Sequence, residues 1–198
     1  MMKKILSLLL AAVMVLSMAA CNKSNNENND STEPSKGGET VDVASALEVL
    51  ETIWAKYEEG EKFAVIGGNM ENPVDNAPGN YDMAYAENLS YNLLIPADQL
   101  VSVDQAATMI HMMNANTFTS GVVHLADGTD VAAFASTLRD AIQGNQWMCG
   151  FPETLVIASI GNYVLVAFGV KDAMNPFQTH LAEAYPAANV LYNEAIGG

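Results

Sequence analysis

The chain has 198 residues, with 23 Asp and Glu against eight Lys and Arg, for a formal charge of −15. A surface this acidic repels nucleic-acid phosphates and anionic lipid headgroups, which argues against both as partners. At the N-terminus, Lys3 and Lys4 precede an apolar stretch over residues 5–15 that continues weakly to Ala20. A positive start, a short apolar run and small residues at its end read as a secretory signal. The run is shorter than the roughly 20 residues that a membrane-spanning helix needs. An uncleaved membrane anchor is the alternative, against which the polar run from Asn22 offers no stop-transfer pattern.

The junction Leu16-Ser17-Met18-Ala19-Ala20-Cys21 resembles the lipobox of bacterial lipoproteins, with Met18 where leucine is most common. The resemblance implies a diacylglycerol thioether on Cys21, cleavage before it, and acylation of the new amino group. Two or more acyl chains anchor stably, at about 0.8 kcal/mol per buried methylene. The expected product is a lipoprotein held at the outer face of a cell membrane. Loss of Lys3 and Lys4 takes its formal charge from −15 to −17. Cys149 is then the second and last cysteine, so no intramolecular disulfide is possible. Residues 22–40 are rich in Asn, Ser, Glu, Gly and Lys with no large apolar side chain, too little to offset chain entropy. The expected organisation is a signal over residues 1–20, a lipidated cysteine and disordered tether over 21–40, and one globular domain over 41–198. A flexible tether of that length reaches on the order of 25 Å.

Within the domain, Val43, Ala46, Leu47, Leu50, Ile53, Trp54 and Tyr57 recur at helical spacing. Ser45 and Glu48 form a capping-box pattern at the start, and Gly60 is a natural stop. Residues 62–66 suit a short strand. Residues 69–80, with Pro73, Pro78 and Gly79, read as loop. Residues 82–94 suit a helix ending before Pro96. Strands are expected over 106–113 and 121–126, joined across 114–120. A helix follows with Val131, Phe134, Ala135, Leu138 and Ile142 on one face and Gly144 at its end.

Residues 154–160 and 163–170 flank Gly161-Asn162, a two-residue hairpin signal. Pairing about that turn sets Val156, Ala158, Ile160, Tyr163, Leu165 and Ala167 on one face. Leu155, Ile157, Ser159, Val164, Val166 and Phe168 take the other. Both faces are apolar, which predicts central strands covered on both sides, with a dimer contact as the competing explanation. Asn175-Pro176 then starts a helix through Phe177, Leu181 and Ala184. The fold class is α+β, a single domain with a mainly antiparallel sheet of four or five strands and packed helices.

The segments Ile110-His111-Met112-Met113-Asn114-Ala115-Asn116-Thr117-Phe118 and Gln146-Trp147-Met148-Cys149-Gly150-Phe151-Pro152, with the Gly161-Asn162-Tyr163 turn, resemble a family of small lipoproteins from Gram-positive bacteria. The likeness implies a lipid anchor and a mixed α/β C-terminal domain of unknown function. It supplies no catalytic residues.

The sharpest chemical constellation is His111 with His124. A turn centred near Phe118 would face them across a ladder, with Met109 and Met113 on the same side. Imidazole suits zinc and copper, and thioether suits reduced copper. A sheet face with gap-filling Met is the plain alternative, and a one-residue slip would separate the pair. Cys149 lies in an apolar run, which predicts a buried core thiol. Asp127, Asp130 and Glu153 lack calcium-loop spacing, and Asp127 and Asp130 read as turn and helix-start residues. Gly67-Gly68 carries no phosphate-loop motif, and no GxSxG occurs. His180 is expected on the surface. The favoured function is a non-catalytic binding or protein-interaction module at the cell envelope, needing no cofactor, with an envelope protein or small ligand as partner. The alternative is an envelope enzyme using Cys149 or a histidine site.

Overall fold

A computed structural model describes residues 42–197. Cys21, the signal and the tether lie outside the described residues. The domain is α+β, built on one antiparallel sheet of eight strands rather than four or five.

The first helix, α1 (Ala46–Trp54), starts where the capping pattern places it. Ser45 Oγ accepts the Glu48 N–H at 3.1 Å, and the Glu48 carboxylate accepts the Ala44 N–H at 2.8 Å. The helix stops at Trp54, well short of Gly60.

Residues 69–80 are not plain loop. Strands β1 (Val65–Asn69) and β2 (Asn72–Asp75) form a hairpin, and β3 (Gly79–Asn80) pairs with β4 (Val103–His111). Residues 82–94 form a 3₁₀ turn (Met83–Asn88) and then a single turn of helix, α2 (Leu89–Asn92). The strand β5 (Phe118–Leu125), helix α3 (Val131–Gln143), hairpin β6 (Thr154–Ile160) and β7 (Tyr163–Gly169), helix α4 (Lys171–Ala184) and strand β8 (Asn189–Ala195) complete the domain. The strand order is β2-β1-β4-β5-β7-β6-β8. The Gly161-Asn162 hairpin pairs Ile160 with Tyr163 and Thr154 with Gly169, in the expected register.

Both faces of that hairpin are covered. Val156, Ala158, Ile160, Leu165 and Ala167 pack with α1 and α4 through Leu50, Ile53, Phe177 and Leu181. Leu155, Ile157, Val164, Val166 and Phe168 pack with α3 and α2 through Phe134, Leu138, Leu89 and Leu93. The result is three layers, helix on sheet on helix, with a core on each side. α2 is held by a missing side chain: a Cβ on Gly121 would lie 2.4 Å from Leu93 Cδ1. Glycine at 121 thus lets Leu93 seat on the sheet.

α4 starts at Lys171, four residues before Asn175, so Pro176 lies inside it. Its first N–H groups find no local side-chain cap. Instead the Glu153 carboxylate, from the residue before β6, accepts the Lys171 N–H at 2.9 Å. A cap supplied from 18 residues away leaves no local signature, which is why the Asn175 start was the one the sequence suggested.

Candidate functional site

Two loops meet at the end of the sheet where β4 hands over to β5 and β6 begins. The first, residues 112–117, links β4 to β5. Its Asn114 Oδ1 accepts the Asn116 N–H at 2.9 Å, a side chain closing its own turn. The second, residues 144–153, follows α3. Asn114 Nδ2 donates to Cys149 O at 2.8 Å, and Asn116 Nδ2 donates to Met148 O at 2.7 Å and Gly150 O at 3.0 Å. Two asparagines therefore fix the backbone of the second loop across more than 30 residues of chain.

What that framework presents is apolar. Met113 is 83 % exposed, Met148 78 % and Phe151 67 %, with Met112 beside them. Among the described residues these are four of the eight exposed large apolar side chains, so exposure is concentrated here rather than scattered. Phe151 also rims a cleft of about 310 Å³ floored by Trp147, Pro152 and Ile196, with Glu153 and Lys171 at its polar edge. The Trp147 ring packs on Phe168, while its indole N–H is buried with no partner among the described residues. Methionine is flexible and polarisable, a composition used by surfaces that accommodate a partner's shape.

Cys149 is not the core thiol the apolar run suggested. It is exposed, and its φ of +63° is a left-handed conformation that costs a non-glycine residue roughly 1–2 kcal/mol. The asparagine donors hold it there. Among the described residues no side chain hydrogen-bonds to the Cys149 thiol.

His111 and His124 are separated. The β4–β5 turn is centred between Asn114 and Ala115, three residues earlier than a His111–His124 pairing requires, and His124 sits opposite Gln105. The two imidazoles are roughly 20 Å apart along the strand. His111 Nδ1 accepts the Met113 and Asn114 N–H groups at 3.2 and 3.3 Å, and its ring stacks on Phe63. It braces the first loop. His124 Nδ1 lies 2.6 Å from Asp104 Oδ1, with its ring against Tyr163. Met109 is buried in the core. Among the described residues no group of three or more His, Cys, Asp and Glu is arranged to hold a metal ion.

His180 is buried, not on the surface. Its ring packs at a tilt against Tyr57, and it lies 3.3 Å from both Glu61 Oε2 and Glu183 Oε2. Burial, reinforced by Glu61, pushes the Tyr57 hydroxyl far above its usual value. The Glu58 N–H, then His180, hold Glu61 below the usual carboxylate range. The cluster staples α4 to the segment after α1. Asp130 is the α3 cap, accepting the Ala132 and Ala133 N–H groups at 3.0 Å. Asp127 only approaches Asn162 Nδ2 at 3.4 Å across a turn, and Glu153 serves α4.

The residues that sequence reasoning missed are Asn114 and Asn116. Their Asn-x-Asn spacing between two strands was the available signal. No helix of the described residues is long and apolar enough to cross a membrane. Comparisons with family models, with curated proteins and with solved structures found no match.

Proposed function

We propose that this chain is an extracytoplasmic lipoprotein, anchored through Cys21, whose domain docks an envelope protein through the Met112, Met113, Met148 and Phe151 face. The observation that carries the docking reading is the exposed apolar cluster on loops locked by Asn114 and Asn116. Locking the loops in advance lowers the ordering cost of association. The lipid anchor rests on the Lys3-Lys4 signal and the junction before Cys21, and on the resemblance to Gram-positive lipoproteins. Two-dimensional confinement raises the effective concentration of a membrane-bound partner, so a modest apolar face suffices.

The thiol at Cys149 supplies the test, because it is exposed at the centre of the face. A photo-crosslinker attached there, activated in intact cells, is expected to trap one dominant envelope protein. Phe151→Asp and Met148→Asp should remove that adduct without lowering the Tm of the purified domain. An adduct pattern unchanged by both substitutions would overturn the docking face. The anchor is tested separately. Cys21→Ala should abolish metabolic labelling with palmitate and release the protein from the membrane, and persistent labelling would remove the anchor reading.

A further inference from the structure

The loop face is also where the domain concentrates reactive sulfur. Among the described residues four methionines are exposed, and Met112, Met113 and Met148 all lie on this face. The fourth, Met70, is 94 % exposed in the β1–β2 turn, at the opposite end of β1 from the residue that pairs with His111. Met109 and Met174 are fully buried. A thioether open to solvent accepts an oxygen atom from a peroxide, whereas a packed one is shielded.

The bonds that lock the face end on main chain, not on sulfur. Asn116 Nδ2 donates to the Met148 carbonyl oxygen and Asn114 Nδ2 to that of Cys149. His111 Nδ1 accepts the Met113 N–H, again a main-chain group. An oxygen added to these methionines therefore leaves the framework standing and alters only what it presents. That alteration is large for an apolar surface. A sulfoxide is polar and chiral, while the thioether is at most a weak acceptor. Pressed against an apolar partner, the new oxygen loses the hydrogen bonds that water gave it, and the cost falls on association.

We infer that Met112, Met113 and Met148 are modification sites forming a reversible oxidation switch on docking. A peroxide turns the face off, and a methionine sulfoxide reductase turns it on again. The inference rests on the docking reading above. In the forward step the sulfur gives an electron pair to one peroxide oxygen. The S–O bond forms as the O–O bond breaks, and the second oxygen leaves as water with the proton of the first. In the reverse step two thiols supply two electrons, and the products are thioether, disulfide and water. Sulfur is oxidised in the first step and reduced in the second, and no backbone bond changes in either.

The experiment uses the purified full chain with the photo-crosslinker on Cys149, which blocks the thiol. The protein is treated with hydrogen peroxide, quenched with catalase and added to membranes from cells that lack it, so the partner is never oxidised. Peptide mass spectrometry should find sulfoxide at Met112, Met113, Met148 and Met70, with Met109 and Met174 still reduced and the Tm unchanged. The adduct should fall roughly tenfold or more. It should return after treatment with methionine sulfoxide reductases of both stereospecificities. Met70→Leu, away from the face, should show the same fall. An adduct that survives oxidation of all three face methionines would overturn the switch. So would a fall that reductase does not reverse, that Met70→Leu abolishes, or that appears only once Met109 or Met174 is oxidised. An untreated chain that traps no dominant protein sinks the docking reading itself, and the switch with it.

Discussion

The centre of the sheet and its β1–β3 edge are built from opposite materials. At the centre, Phe118 to His124 pair without a break against Gly169 to Tyr163, and β6 follows β7 with equal regularity. Val, Ile, Leu and Phe cover both faces there, and side chains decide everything. At the edge the backbone does that work. Gly67 and Gly79 meet main chain to main chain, and Pro73 and Pro78 flank them. Each region holds one buried polar side-chain atom without a partner among the described residues, Thr154 Oγ1 in β6 and Asn69 Oδ1 in β1, so the difference lies in how the chain is packed. A region held by side-chain volume buries more apolar surface than one held by close backbone approach.

The sharpest way to break that contrast is to empty the centre. Phe118 is fully buried with edge-on contacts to Phe63 and Phe177 at 5.2 Å. Phe118→Ala should cost about 3–5 kcal/mol, read from urea unfolding at constant m-value. At the edge, a Cβ on Gly67 would fall 2.1 Å from Gly79 N and 2.4 Å from Pro78 C. Gly67→Ala should cost about 1–3 kcal/mol by overpacking. Its damage should appear in hydrogen exchange as loss of protection confined to β1–β3. If Gly67→Ala lowers protection across β5–β7 as strongly, the two regions are one cooperative unit and the contrast fails.

The smallest expected effect lies at the opposite edge, where β8 meets α3. Arg139 donates from Nε and Nη2 to the two oxygens of Glu194, and Gln143 adds a third donor. The Arg139 bonds, then Gln143, hold the Glu194 carboxyl below its usual value of 4.5. A folded value below the unfolded one stabilises above pH 4.5 and loses that stability as pH falls through the depressed value. The pair is part-exposed, so the gain is modest. The Tm difference between the native chain and Glu194→Gln should be positive at pH 7 and shrink as the pH falls from 4.5 through the depressed value. A difference that does not shrink over this window would show that the pair contributes through packing, not charge.

These contrasts follow what the sequence made legible. The β6–β7 hairpin, with apolar residues at every position and a Gly161-Asn162 turn, announces both its register and its double burial. So do α1 and α3, whose periodic faces and local caps at Ser45 and Asp130 lie within a few residues of each other. β1, β2 and β3 are too short for period-two reading, and their Gly and Pro content is loop chemistry until the long-range pairing is known. β8, with its mixed exposed pattern, carries no alternation to detect. The loop face failed to register for a different reason. The run from Trp147 to Phe151 has the composition of a core, but composition does not report a left-handed Cys149 or donors arriving from Asn114 and Asn116. The His111–His124 pair failed on a turn centre misplaced by three residues.

The strand order has a consequence for how the chain matures. β6 lies between its hairpin partner β7 and β8, yet β8 is separated from them by all of α4. A chain that emerges N-terminus first completes β6 and β7 while the outer rim of β6 still has no neighbour. During that interval Leu155, Val156 and Ile157 present an open, uncharged strand, the geometry that recruits foreign strands. β8 then acts as a closing seal whose timing, more than its own modest burial, decides whether newly made molecules fold singly or join one another.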